Sequence, residues 1–216
     1  MKLIKKDFRL CLHPAAIVML GLSALVLVPN YPYSITFFYM TLGIFFICLG
    51  GRENHDIAYT MTLPVSRAQA VAARMGMACV LQITQIVLCC LFIVLKSKIA
   101  PGPNGAGMDA NAALPGEGFL VFALFNGIFF PAWYKDVTEV GGPFVKGSIA
   151  VFLYIVLAVS ATYAVPFVRD RLDTPGSEFL GEKLLFTGVC AALYALATFL
   201  SYRLSVKRFS ALDLQL

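Results

Sequence analysis

The sequence is short of charge. Asp, Glu, Lys and Arg make up 13% of its 216 residues, about half the share usual in a soluble domain. It contains no H-E-x-x-H, no C-x-x-C and no phosphate-binding P-loop, so zinc hydrolysis, dithiol chemistry and nucleotide binding all lack their usual residues. The nearest approach to a P-loop, Gly141-Gly142-Pro143-Phe144-Val145-Lys146-Gly147-Ser148, puts Lys146 ahead of Gly147 and follows no strand signal. It reads as a membrane-boundary turn. No polar stretch between apolar runs exceeds about two dozen residues, and chains below about 40 residues rarely fold alone. An independent soluble domain between the runs is excluded, and nucleotide energy, if used, must come from another subunit.

The six cysteines, Cys11, Cys48, Cys79, Cys89, Cys90 and Cys190, lie in or beside apolar runs and read as small apolar fillers. The two histidines, His13 and His55, flank different elements. No metal site, catalytic set or bound cofactor is expected of this chain.

Apolar residues are plentiful, at 59%, with 18 Phe and 9 Tyr. They gather into six stretches, residues 14–29, 33–51, 75–95, 119–134, 147–168 and 184–202. About 20 apolar residues cross roughly 30 Å of hydrocarbon as a helix. The stretches 14–29 and 119–134 are short, and must borrow flanking residues or thin the bilayer. Because the runs are continuous rather than alternating, a β-barrel is excluded. The expected fold is all-α: a polytopic membrane protein with six transmembrane helices in a single transmembrane domain, 1–216. The basic start and apolar run imitate a signal peptide, but no small-x-small cleavage site follows, so the first helix is expected to be retained.

The net charge of +5 is unevenly placed. With six spans, Lys2, Lys5, Lys6, Arg9, Arg52, Arg67, Arg74, Lys135, Lys146, Arg203, Lys207 and Arg208 fall on one side. Only Lys96, Lys98, Arg169, Arg171 and Lys183 fall on the other. Cytoplasmic loops carry the excess of Lys and Arg, so both termini are expected in the cytoplasm. The basic face reflects topology and lipid contact rather than nucleic acid binding.

Residues 1–13 pattern as an amphipathic interfacial helix, with Leu3, Ile4, Phe8, Cys11 and Leu12 on one face and Lys2, Lys5, Lys6 and Arg9 on the other. Pro14 breaks it from the first span. Residues 52–66, the second connection, mix charge with Ile57, Tyr59, Met61 and Leu63. As a short helix this segment would bring Glu53, Asp56, Ile57 and Thr60 to one face. Leu63-Pro64 would end it. Ser66, with Gln69 three residues on, reads as a capping box opening the next helix near Arg67, and Arg74 is placed to snorkel to the interface. Lys96-Ser97-Lys98 begins a third connection, a flexible outer loop rich in Pro and Gly. In the fifth, Ser177-Glu178-Phe179-Leu180 has the makings of a short interfacial helix.

Within the apolar runs, Gln82, Gln85, Thr84, Asn126, Ser160 and Thr162 are polar. Two readings stand: hydrogen bonds between helices, or a translocation path lined by Gln82, Gln85 and Asn126. Pro131 and Pro166 are candidate kinks. No run carries a central Asp, Glu, Lys or Arg, which weighs against an ion-coupled secondary transporter.

The string Glu53-Asn54-His55-Asp56-Ile57-Ala58-Tyr59-Thr60-Met61-Thr62-Leu63-Pro64-Val65-Ser66-Arg67, followed by Ala70-Val71-Ala72-Ala73-Arg74, resembles the permease subunits of bacterial type-two ATP-binding-cassette (ABC) exporters. The six spans, the basic amphipathic start, Phe129-Phe130-Pro131-Ala132-Trp133-Tyr134-Lys135 and the basic-aromatic segment from Tyr202 to Phe209 agree with that pattern. The resemblance implies a coupling helix involving Glu53, Asp56, Ile57, Ala58, Tyr59 and Thr60, seated in a cleft of a separate ATPase. It further implies two ATPase copies carrying ATP and Mg, a second permease copy (the same chain or a paralogue), a bacterial plasma membrane, and an amphipathic or hydrophobic substrate such as a peptide, drug or lipid. A membrane scaffold or immunity protein gripping a cytoplasmic partner through the same segment is the alternative from a different class.

Overall fold

The computed structural model describes residues 2–100, 102–176 and 178–212. Among these, helices follow one another without a strand. α1 (Lys2–Leu10) lies at 88° to the apolar segment after it. α2 (Pro14–Gly21) opens with Pro14 at its first position, where a missing N–H costs little, and His13 Nδ1 accepts the Ala15 N–H at 3.1 Å. It continues as a 3-10 helix, Leu22–Leu27. At 1.5 Å per α and 2.0 Å per 3-10 residue, the two reach about 24 Å. The right angle at His13 prevents α1 from lengthening that span.

The remaining helices are α3 (Ser34–Glu53), α4 (Asp56–Thr62), α5 (Arg67–Ile99), α6 (Leu114–Trp133), α7 (Gly141–Ala164) and α8 (Leu180–Ala211). Five of them, α3 and α5 to α8, are long and apolar enough to cross a membrane, and the number is six when the bent α1–α2 pair is counted as one span. This is an all-α polytopic membrane protein. The short fourth run borrows residues at its amino end, making α6 20 residues long.

α6 is the centre of the bundle. Phe122, Phe125, Phe129, Phe130 and Trp133 are all fully buried along it, and it packs mainly on α8 and α7. Water gives little drive between helices in lipid, so close contact of small residues matters. A Cβ on Gly116 of α6 would fall 3.2 Å from Thr187 Cα on α8, and one on Gly43 of α3 would fall 3.1 Å from Ala16 Cα on α2. Both glycines therefore let backbones meet.

Several expectations change. Gly141–Ser148 is the opening of α7, not a turn: Pro143 sits in the first turn, where its lost N–H is harmless. At the other end α7 stops at Ala164, because Val165, ahead of Pro166, is held extended. A π-helical turn, Val168–Leu172, follows. Pro131 lies in the last turn of α6, so little helix remains beyond it to bend. Lys96, Ser97 and Lys98 belong to the end of α5.

The Pro/Gly-rich connection forms no helix, yet it is not a loose tether. Asn104 Nδ2 donates to the carbonyls of Tyr31 and Met108, and Asn111 Nδ2 to those of Leu172 and Thr174. The Asp109 N–H donates to Asp173 Oδ1 at 2.6 Å. Asn and Asp side chains stand in here for backbone partners. Of the proposed interfacial helix at 177–180, Ser177 lies outside the described residues. Glu178 and Phe179 form a turn, and α8 begins at Leu180.

Candidate coupling site

The segment between α3 and α5 is built by local rules. α3 ends at Glu53, and His55 takes a left-handed conformation (φ 51°, ψ 32°) that redirects the chain into α4. Leu63 is extended ahead of Pro64 and closes α4. Ser66 Oγ accepts the Gln69 N–H and Gln69 Oε1 accepts the Ser66 N–H, so the capping box forms as expected.

The six predicted coupling residues are not on one surface. The break at His55 leaves Glu53 exposed on α3. Asp56 and Thr60, one turn apart, face inward and are buried. Ile57 and Ala58 are half-buried, and Tyr59 is 53% exposed. The predicted shared face of Glu53, Asp56, Ile57 and Thr60 is thereby corrected.

Beneath α4 lies a cluster of four charges. Arg74 Nη2 donates to Asp56 Oδ2 and to Cys11 Sγ, and Arg74 Nε donates to Asp7 Oδ2 at 3.3 Å. Lys6 Nζ donates to Asp56 Oδ1 at 2.8 Å and to Thr60 Oγ1 at 2.7 Å, and lies 3.1 Å from Asp7 Oδ1. Two cations thus face two carboxylates, and the cluster is neutral as a whole. Arg74 does not snorkel; it is 5% exposed, because two carboxylates within the protein offer charge-assisted bonds that a turn toward the lipid headgroups would forfeit. Burial alone would raise the Asp56 pKa, but Arg74 and Lys6 hold it below the usual carboxylate range. Burial would likewise lower that of Lys6, yet its bonds to Asp56 and Asp7 hold it above the ordinary lysine value. Asp7, Cys11 and Asp56 bring ligand atoms within 4.8 Å of one another, but the Arg74 guanidinium donates to all three and fills the place a metal would need.

The arrangement joins an amphipathic first helix, a short charged helix after the second span, and the start of the third. The sequence pattern of ABC-2 family transporter proteins matches residues 2–210. The chain belongs to the ABC-2 transporter family. No curated protein and no solved structure matches it. As an ABC-2 permease it is a membrane subunit of an ABC transporter, a family that works with an ABC ATPase.

In the ABC-2 permease fold, Gln82, Gln85 and Asn126 are all fully buried. Gln82 Nε2 donates to Asn126 Oδ1 at 2.8 Å, and Asn126 Nδ2 donates back to Gln82 Oε1 at 3.0 Å. Tyr194 Oη of α8 donates to Gln82 Oε1, and Asn126 Nδ2 reaches Thr198. Gln85 Nε2 donates to the Thr36 carbonyl of α3. Gln82 and Asn126 form one network with α8, while Gln85 makes a separate tie. This geometry fits the reading as hydrogen bonds between helices.

Asp7 was not singled out in the sequence, although its spacing from Leu3, Ile4 and Cys11 places it on the apolar stripe of α1. Buried charge is also more common in the span helices than the apolar runs suggest. Arg74 and Lys96 flank the middle of α5, and Glu117 and Lys183 lie in the first turns of α6 and α8. Ser34 Oγ donates to Glu117 Oε2. Lys96 lies over the Tyr33 ring at 4.2 Å, and Lys183 Nζ donates to the Thr174 carbonyl at 2.6 Å.

Proposed function

We propose that this permease is the non-catalytic, membrane-crossing half of a bacterial exporter. A separate ATPase, present in two copies and binding ATP with Mg, drives it. Its substrate is amphipathic or hydrophobic: a peptide, a drug or a lipid. The basic end, with α1, α4 and both termini, faces the cytoplasm. Two permease copies enclose the path between their bundles, and Gln82, Gln85 and Asn126 act as struts within each bundle.

The observation that carries this reading is how α4 is mounted. Asp56 and Thr60 anchor it to Lys6 and Arg74, which leaves Tyr59 outward with Ile57 and Ala58 beside it. An aromatic side chain on a rigidly seated helix suits docking into a cleft. ATP-driven closure of the ATPase pair would then favour one bundle arrangement over another through that contact.

The test is purification of the tagged permease from native membranes. A P-loop ATPase should co-purify, and Tyr59→Ala should weaken its retention at least tenfold. Accessibility labelling should place position 59 on the cytoplasmic side. Labelling of position 59 from the extracellular side, or a wild-type preparation with no ATPase, would defeat the reading. ATP hydrolysis by the reconstituted complex, measured against peptides, drugs and lipids, then selects the substrate class.

A further inference from the structure

At the same end of the molecule, α8 finishes against the start of α5. The last carbonyls of a helix have no partner within it. Here one side chain reaches two carbonyls of the last turn and that of Leu212, the residue that caps it. The two N–H groups of Arg67 Nη1 are shared among the carbonyls of Phe209 at 2.7 Å, Ser210 at 3.0 Å and Leu212 at 2.7 Å. The same guanidinium lies 5.5 Å from the centre of the Phe209 ring, within cation–π range. Phe209 is fully buried and packs on Tyr134. Its neighbour Arg208 donates through Nη1 to the Pro131 carbonyl in the last turn of α6, at 2.7 Å.

Arg67 is also the first residue of α5, directly behind the capping box that follows α4. Seven residues on, Arg74 grips α4 itself. Hydrogen bonds therefore run from α4 through the first turns of α5 to the end of α8, and from there to α6. The helix α7 is held differently. Among the described residues, Ser160 and Thr162 bond to carbonyls of α7 itself, and Tyr163 Oη reaches the loop carbonyl of Gly105. Apolar packing, such as Phe125 against Gly147, holds α7 to the other helices.

We propose that Arg67 is a positioning residue that yokes the carboxyl end of α8 to the coupling segment. With it in place, α4, α5, α8 and α6 shift as one body against α7 when the ATPase closes. The movement rests on the function proposed above; the yoke itself does not.

The experiment uses the full chain with its co-purifying ATPase and the exposed Cys90 replaced by Ser. Spin labels at Ala72→Cys on α5 and Lys207→Cys on α8 report the yoked pair, and labels at Lys207→Cys and Lys146→Cys report α8 against α7. Distances are measured by pulsed EPR without nucleotide and after ATP–vanadate trapping. With Arg67 present, the 72–207 distance should be narrow and equal in both states, and the 146–207 distance should shift on trapping. Arg67→Ala should broaden the 72–207 distribution in both states, whereas Arg67→Lys, which keeps a cationic donor, should hold it narrow. Should Arg67→Ala fail to accumulate, Arg67→Gln takes its place with the same expected broadening. An unchanged 72–207 distribution without Arg67, or one that shifts on trapping with Arg67 present, overturns the proposal. If no ATPase co-purifies, the exporter reading fails, while the nucleotide-free comparison still decides the yoke.

Discussion

Arg74 of α5 and Asp56 of α4, 18 residues apart in the chain, form a buried ion pair where the short helix meets the bundle. Breaking one side of such a pair costs about 3–5 kcal/mol, because a charge is left in a poor solvent. Asp56→Ala should therefore lower the melting temperature in detergent markedly. Tyr59→Ala, at an exposed position, should stay within about 0.5 kcal/mol of wild type while losing the ATPase. A variant at Asp56 that melts like the wild type would show that the pair carries no weight.

Acid pH should separate two carboxylates whose pKa values are shifted in opposite directions. The Asp56 pKa is depressed in the folded protein, so its stabilisation is present above the ordinary carboxylate value of about 3.9 and disappears as pH falls through the lower folded value. The Asp173 pKa is pushed up to about 6, first by burial and also by the neighbouring Asp109 charge, despite the Asp109 N–H bond. The folded state then holds the proton more tightly than the unfolded one, and stability falls as pH rises from about 4 to about 6. Asp173→Asn keeps an acceptor for the Asp109 N–H and removes the charge. It should flatten that slope and raise the neutral-pH melting temperature by roughly 2–4 °C, the effect of about 1 kcal/mol in a chain of this size.

Gly43 allows α3 to touch α2. Gly43→Val would drive two methyl groups into Ala16, and overpacking of this kind costs about 1–3 kcal/mol. The loss should show as faster cleavage near residues 28–33 in limited proteolysis, with the α6–α8 pair unaffected.

The Gln82–Asn126 exchange should behave as a unit. Gln82→Leu strands the Tyr194 hydroxyl and Asn126 Oδ1, while Asn126 Nδ2 keeps Thr198. A double-mutant cycle with Asn126→Leu should give a coupling of about 0.6–1.7 kcal/mol, the range for interhelical hydrogen bonds in membranes. Zero coupling would leave the two side chains as neighbours only.

What the sequence discloses here is local. Leu63-Pro64, the Ser66–Gln69 box and the Pro14 break are governed by residues within a few positions of each other, and each appears where the letters place it. The site is less legible because its partners are remote. Arg74 borders an apolar run and has two outlets, the headgroups or a carboxylate, and its two carboxylates, Asp56 and Asp7, lie 18 and 67 positions away. The inward turn of Asp56 likewise depends on Lys6, 50 positions away. In the 102–113 loop, Pro and Gly density excludes a helix but says nothing of the contacts that Asn104 and Asn111 make with distant carbonyls.

The abrupt corner at His13 has a consequence outside the protein. Ile17 and Val18, in the segment it shortens, are more than half exposed, and as a span that segment would offer acyl chains only about 24 Å, some 6 Å less than an ordinary hydrocarbon core. Each ångström of that shortfall costs a fraction of a kcal/mol. Lipids with brief or unsaturated tails should collect along this flank, and slimmer membranes should retain the protein better than sterol-stiffened ones.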